Sequence, residues 1–273
     1  MFNAQNLMIM IRIPLLSIIS IAWLLPITSL TPTEGLVAYY SFNQCDARDD
    51  SGNGSDGKMH GGVACWCGIE GDGLLFDGHD DWVTFEGVVN NYFTTSDFTI
   101  SFYIKPESYT IFKQNLLSKR HDCIFEQFLD THIDFNNKEI KTEIHQTEIH
   151  YYRELSPQLD SLGWMHFAIV REGFRAQTFI NGHLIKQSFR CSSVDISNEA
   201  LLSFSNSPCL GLEGTKRFKG VLDELRVYER ALSEEEILLL YEEYPIENAA
   251  RDCVTFAPQK LYNPLESIYL CVA

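Results

Sequence analysis

The densest run of hard oxygens in the chain is Asp49-Asp50-Ser51-Gly52-Asn53-Gly54. Calcium takes about six to eight such oxygens from a flexible loop that commonly contains glycine. The same residue types also form Asx-turns by accepting local amides, so composition alone leaves both readings open. Asp77-Gly78-His79-Asp80-Asp81 has similar chemistry and is expected to be a turn. A near-repeat, Glu143-Ile144-His145 followed by Glu148-Ile149-His150, invites a metal reading. A five-residue step places the two histidines on opposite faces of a continuous strand. A solvated edge or hairpin face, kept polar against stray pairing, is the expectation there.

The eight cysteines are Cys45, Cys65, Cys67, Cys123, Cys191, Cys209, Cys253 and Cys271. None forms a C-x-x-C pair, and Cys65-Trp66-Cys67 is too tight for tetrahedral zinc. An even set in an oxidising compartment reads as disulfides. Proximity favours Cys191–Cys209 and Cys253–Cys271, and joins Cys45 to Cys65 or Cys67. Export is expected from the N-terminus, where Arg12 precedes an apolar run to Leu25, then Pro26 and small polar residues. Residues 1–29 therefore read as a cleaved signal peptide, with no membrane span left in the mature chain. The balance of 21 Lys+Arg against 37 Asp+Glu, a net charge of −16, excludes a nucleic-acid partner, because that affinity comes from cations displacing counterions.

The elements around these residues show a period of two. Phe98, Ile100, Phe102 and Ile104 alternate with Thr99, Ser101, Tyr103 and Lys105, as in a half-buried strand. Similar runs cover Leu36–Phe42, Trp82–Phe85, Trp164–Val170, Gln177–Ile180, Leu184–Phe189 and Val221–Tyr228. Asn181-Gly182 predicts a type I′ hairpin turn. Ser233-Glu234-Glu235-Glu236 predicts a capping box, with Ile237, Leu240, Tyr241 and Tyr244 on one helical stripe and Pro245 as its stop. The expected fold is an all-β antiparallel sandwich of two sheets with one short C-terminal helix. A tail at 245–273 carries its own cysteine pair and is expected to be disulfide-closed.

Four segments in order resemble the LamG-like jellyroll domain of the concanavalin A-like lectin/glucanase superfamily, in its secreted bacterial form. They are Leu36–Phe42 with Asp49–Gly54; Leu75-Phe76-Asp77-Gly78 with Asp80-Asp81-Trp82-Val83; Phe98–Phe102 with Trp164–Ala168 and Ile180-Asn181-Gly182; and Phe218–Tyr228 running into Arg230-Ala231-Leu232-Ser233. The similarity spans residues 35–244. It implies a jellyroll whose first strand lies beside its last, bringing Asn43 near Asp223. It also implies a structural Ca²⁺, for which Asn43, Asp49, Asp50, Asn53 and Asp223 are the candidate ligands. The family usually has Asp where this chain has Asn43.

Some members of the superfamily cleave glycans, which requires two carboxylates across the scissile bond. No Glu-x-Asp-x-x-Glu run is present, Asp223 and Glu224 are adjacent, and no Gly-x-Ser-x-Gly nucleophile motif occurs. The expected function is a secreted or cell-surface, non-catalytic binding module for a carbohydrate or an extracellular protein. A structural adhesion or matrix module is the alternative, and a glycan-cleaving enzyme the second. Trp66 and Trp82 are candidate sugar-stacking rings, whereas Trp164 is expected in the core.

Overall fold

The computed structural model describes residues 31–107, 112–155, 159, 163–190 and 193–249. The expected signal peptide, Cys191 and the Cys253–Cys271 pair lie outside them. The chain begins with β1 (Leu36–Tyr40), β2 (Gly57–His60), β3 (Ala64–Cys67), β4 (Asp72–Asp77) and β5 (Trp82–Phe85). It continues through β6 (Phe98–Pro106), β7 (Lys113–Lys119), β8 (Phe128–Asp134), β9 (Glu139–His145) and β10 (Tyr151–Leu155). Next come β11 (Met165–Glu172), β12 (Arg175–Ile180), β13 (His183–Phe189), β14 (Leu202–Phe204), β15 (Lys216–Arg217) and β16 (Lys219–Tyr228). Helix α1 spans Glu234–Glu243.

The first sheet has the order β13-β12-β11-β6-β16-β4-β3. Strand β4 pairs with the first half of β16, and β1 with its second half, Ala38 opposite Val227 and Tyr39 opposite Arg226. The opening and closing strands thus meet as expected. The second sheet runs β10-β9-β8-β7-β14-β5-β2, with the short β15 parallel to β7. Between the sheets lies one apolar core that includes Tyr40, Phe76, Phe85, Phe102, Phe167, Phe204 and Phe218. Offset and edge-on ring contacts run through it, Phe76 to Phe204 at 5.1 Å and Phe204 to Phe218 at 5.5 Å. This is a jellyroll sandwich.

The outer face of the first sheet is covered. Ile237 and Leu240 of α1 pack on Ala168, Val170, Phe179 and Tyr228. The Thr99 hydroxyl donates to the Arg230 carbonyl and accepts from the Leu232 amide, and the Tyr103 hydroxyl donates to the Tyr241 carbonyl. Strand β6 is therefore buried on both faces rather than one, because its polar side meets the helix. The capping box forms as predicted, with the Ser233 hydroxyl accepting from the Glu236 amide and the Glu236 carboxylate from the Ser233 amide. Asn181 and Gly182 both take positive φ, 50° and 76°, in the β12–β13 turn. Trp164 is half-buried just before β11 rather than a core ring. Among the described residues no helix is long and apolar enough to cross a membrane.

Under α1, His166 is fully buried with Nε2 2.7 Å from the Ser101 hydroxyl. Burial, with the nearby Arg226 charge, pushes its pKa down to about 3. An imidazole held neutral in the fold gains its proton on unfolding. Its contribution is therefore intact above about pH 6.5 and declines by about 1.4 kcal/mol per pH unit below that. Denaturant titrations at about pH 6.5 and 5 should show the native chain losing roughly 2 kcal/mol more than His166→Gln. Equal losses would contradict this assignment.

Disulfides Cys45–Cys65 and Cys123–Cys209 are present, and Cys67 is disulfide-bonded as well. The first is one of the two expected partners for Cys45. The second corrects the expected Cys191–Cys209 pair. Cys209 follows β14, which pairs with β7, and Cys123 lies in the connection leaving β7. Sheet neighbourhood decides that pairing, not distance along the chain.

Candidate functional site

The acidic run after β1 acts as a clamp. Asp49 Oδ1 accepts from the Tyr39 and Ser51 amides and the Ser51 hydroxyl, while Oδ2 accepts from the Ser55 amide. Burial raises the Asp49 pKa, but the bonds from Ser51, Ser55 and Tyr39 outweigh it and hold the carboxyl below its ordinary range. Asp50 Oδ2 accepts from the Ser41 amide and hydroxyl, and Asn53 donates its side-chain amide to the Leu36 and Val37 carbonyls. All three side chains bind the backbone along β1.

Asn43 and Asp223 come together elsewhere, at the Gly68–Asp72 turn. Asn43 Oδ1 accepts from the Asp72 amide at 2.9 Å, and Asp223 Oδ2 from the Ile69 amide at 2.7 Å. A Cβ on Gly68 would lie 2.1 Å from Asp223 Oδ2, and one on Gly71 2.0 Å from Asn43 Oδ1, so only glycine admits this approach. Burial and the adjacent Glu224 carboxylate push the Asp223 pKa well above its usual value. The five candidate metal ligands thus fall into two groups, Asn43 with Asp223 at this turn and Asp49 with Asp50 and Asn53 along β1. The groups are joined through the Ser41 hydroxyl, which donates to Asp50 and accepts from the Asn43 amide.

The second acidic run is a turn. Asp81 Oδ1 accepts from the Gly62 amide and Oδ2 from the Asp77 amide, and Asp77 accepts from the His79 amide. Beside it, Trp82 is flanked from β2 by the His60 ring, stacked at 4.6 Å, and by the Arg217 guanidinium at 4.2 Å. Its faces are already occupied. Trp66 lies on β3, opposite Gly73.

Polar and aromatic side chains gather on the outer face of β7–β10, where alternation turns Asp130 and His132 away from Leu129 and Ile133 in the core. Phe128, His145 and Tyr151 are register partners, and their rings stack at 4.5 Å per step. In the next rung Asp130 faces Glu143, which faces Arg153. Glu143 receives Lys141 Nζ at 2.8 Å and Arg153 Nη2 at 2.8 Å, with His145 Nε2 3.5 Å away. Burial opposes ionisation, yet the contacts with His145, Lys141 and Arg153 hold the Glu143 pKa far below its ordinary range. Asn115 donates to Asp130 Oδ1 at 2.8 Å.

Although this face points outward, Asn115, Ser118, Asp130, His132, Glu143 and His145 are all buried. The β7–β8 connection folds back onto it, with Arg120 3.7 Å from the Phe128 ring and Phe125 5.6 Å from His145. The Cys123–Cys209 bond ties this connection to the loop after β14. Five buried atoms here, Asn115 Oδ1, Ser118 Oγ, His132 Nε2 and both ring nitrogens of His145, have no hydrogen-bond partner among the described residues. Buried polar groups are nearly always satisfied, so these atoms call for bridging water or for a polar ligand admitted beneath the connection. The same holds for His166 Nδ1, Arg171 Nε, Gln177 Nε2 and Ser188 Oγ on β11–β13. The sequence alone suggests a solvated edge or hairpin face for this stretch. Strands β9 and β10 do form a hairpin with β10 at the sheet edge, but the face is buried rather than solvated. Strand β9 is interior to the sheet, and residues 146–150 form the turn that separates His145 from His150.

A family model described as the concanavalin A-like lectin/glucanases superfamily matches residues 77–238, more than half of the chain. The chain belongs to this superfamily. Among solved concanavalin A-like folds it is similar to the binding domain of Paraclostridial Mosquitocidal Protein 1, with a TM-score of 0.63 and 18% identity over 77% of this chain and 52% of that one. It is also similar to domain 4 of AbnA, a GH43 extracellular arabinanase from Geobacillus stearothermophilus, in complex with arabinotriose. The TM-score there is 0.58, with 19% identity, covering 76% of this chain and 98% of that domain. The receptor binding domain of a botulinum neurotoxin C/D mosaic serotype gives a TM-score of 0.59 and 14% identity over 77% and 51%. The chain spans about half the length of the two toxin domains. At these identities the likeness is one of concanavalin A-like fold. No curated protein matches the sequence.

Proposed function

We propose that this protein is a non-catalytic, extracellular binding module that holds a carbohydrate on the outer face of β7–β10. The observation that carries the reading is the set of unpartnered buried atoms on Asn115, Ser118, His132 and His145. Sugar hydroxyls both donate and accept, so one ligand class satisfies amide, hydroxyl and imidazole together. The fold supports the role by analogy: the similar arabinanase domain is described with arabinotriose, and the similar toxin domains as binding domains. Disulfides support an oxidising location. Hydrolysis is disfavoured because a glycosidase needs one carboxyl kept protonated, and Lys141 and Arg153 hold Glu143 ionised.

Screening the purified chain against immobilised oligosaccharides should give retention. His132→Ala should weaken it about tenfold, the equivalent of roughly 1.4 kcal/mol for lost polar contacts. Trp82→Ala should leave it unchanged. Loss with Trp82→Ala and none with His132→Ala would move the site. Absence of any retention would favour a structural adhesion or matrix role.

The calcium implied by the resemblance fits only part of its expected ligand set. Asn43 and Asp223 meet at one glycine-lined turn, where their oxygens accept the Asp72, Ile69 and Glu224 amides much as those of Asp49 and Asp50 accept local donors, while Asn53 is committed through its amide. We assign the ion to Asn43 and Asp223, where it would tie β1's exit to β16. An ion bound only by the fold at about 100-fold over its Kd adds about 2.7 kcal/mol. Melting in calcium against chelator should therefore differ by roughly 5–10 °C. Asp223→Asn should abolish the difference, whereas Asp49→Asn should keep it. A melting point indifferent to both additives removes the metal.

A further inference from the structure

Cations set the β7–β10 face apart from the rest of the molecule. The chain as a whole is strongly acidic, at −16. Around the Phe128–His145–Tyr151 stack three arginines gather. Arg120 lies 3.7 Å from the Phe128 ring at one end, and Arg153 and Arg190 lie 5.3 and 5.4 Å from Tyr151 at the other. Arg120 donates only to neutral carbonyls, Nε to Asp122 and Nη2 to Ile124, each at 2.6 Å. Arg190 likewise donates to the Ile149 carbonyl. Neither is bridged to a carboxylate among the described residues. On the next rung the carboxylates of Glu143 and Asp130 are matched by Lys141 and Arg153, so among the described residues here the cations without a direct ion pair are Arg120 and Arg190.

Guanidinium groups held on aromatic faces and making no direct ion pair keep donors available for a planar anion, although Asp130, Glu143 and Asp122 also lie in the field of Arg120. Their rigid fork matches a carboxylate in two parallel hydrogen bonds, which are stronger than neutral ones. The orphaned atoms on the same strands, with His132 four residues along β8 from Phe128 and Asn115 opposite it on β7, call for polar partners such as the hydroxyls of an adjoining sugar unit. A ligand answering both demands is a sugar acid. Building on the assignment of this face to a carbohydrate, we propose that the site recognises an acidic glycan. Its uronate- or sialate-type carboxylate is received by Arg120 or Arg190 beside the ring stack, while its hydroxyls reach Asn115 and His132.

Calorimetric titration with matched pairs tests this: oligogalacturonate against its methyl ester, and sialyllactose against lactose. The esters and lactose keep the hydroxyls and lose the charge. At least one acid should bind about tenfold or more tighter than its neutral partner, and the margin should shrink as salt is raised. The Arg120→Gln/Arg190→Gln double variant should bring that ratio near one while leaving affinity for the neutral partner unchanged. Equal affinity within both pairs overturns the acidic preference and leaves the glycan reading standing. An acid preference that survives the double variant overturns the assignment to these arginines. Failure of every sugar, acidic or neutral, brings down the glycan reading and this inference with it.

Discussion

Replacing Arg226 by methionine should destabilise the fold by about 3–5 kcal/mol. This guanidinium is 4% exposed, beneath α1. Its Nη2 lies 2.7 Å from Glu224 Oε2 and 3.0 Å from Glu243 Oε2, and it rests 4.5 Å from the Tyr39 ring, whose hydroxyl donates to Glu224 at 2.8 Å. Arg226 thus joins β16, β1 and α1 through one buried network. Methionine fills similar volume but leaves Glu224 with only the Tyr39 bond. Burial already raises the Glu224 pKa to about 7 against Arg226, which pulls it down. Without the arginine this carboxyl stays protonated in the fold, and the fold then binds more protons than the unfolded chain. The native chain takes up the same proton below about pH 7, so the deficit of the variant should shrink as pH falls towards 7 and change little below it. Adding Glu224→Gln should recover part of the loss at pH 7, as removal of both charges spares the buried acid. Denaturant unfolding of the two variants measures it, and a single-variant cost below about 1 kcal/mol would contradict a buried ion-pair network.

The second large effect concerns the strap over the candidate site. Cys123–Cys209 closes a loop of sequence separation 86, Cys45–Cys65 one of 20. Loop-closure entropy predicts stabilisations of about 4.6 and 3.3 kcal/mol respectively. The Cys123→Ser/Cys209→Ser variant should melt roughly 10–15 °C lower at this domain size. It should also lose sugar retention at temperatures where it is still folded, because the connection bearing Arg120 and Phe125 is then no longer tied down. The Cys45→Ser/Cys65→Ser variant should melt a little higher than that one and retain its ligand. Equal retention by both variants would detach the strap from the site.

Local signals carry much of the architecture. Trp82–Phe85, the Asn181-Gly182 turn and the Ser233 capping box are each determined by neighbours within a few residues, and each forms as expected. The candidate site is a different case. A bulge between Asn115 and Leu117 breaks the alternation of β7. In β8, polar Asp130, His132 and Asp134 do alternate with Leu129, Thr131 and Ile133, which is the signal the sequence offers. Their burial comes from the β7–β8 connection and the loop after β14, distant in sequence and joined by Cys123–Cys209. The Asp49–Gly54 run shows the converse: its residue types suit both a cation and a set of backbone amides, and in the fold Asp49 accepts the Tyr39, Ser51 and Ser55 amides.

The most direct test is an NMR titration that follows the histidine ring signals while a retained oligosaccharide is added. His132 and His145, with unpartnered nitrogens on the β7–β10 face, should shift in a saturable way. His166, buried beneath α1, and His60, stacked on Trp82, should not move. Saturable shifts at His60 or His183 with His132 and His145 unmoved would place the ligand elsewhere on the sandwich and contradict the account.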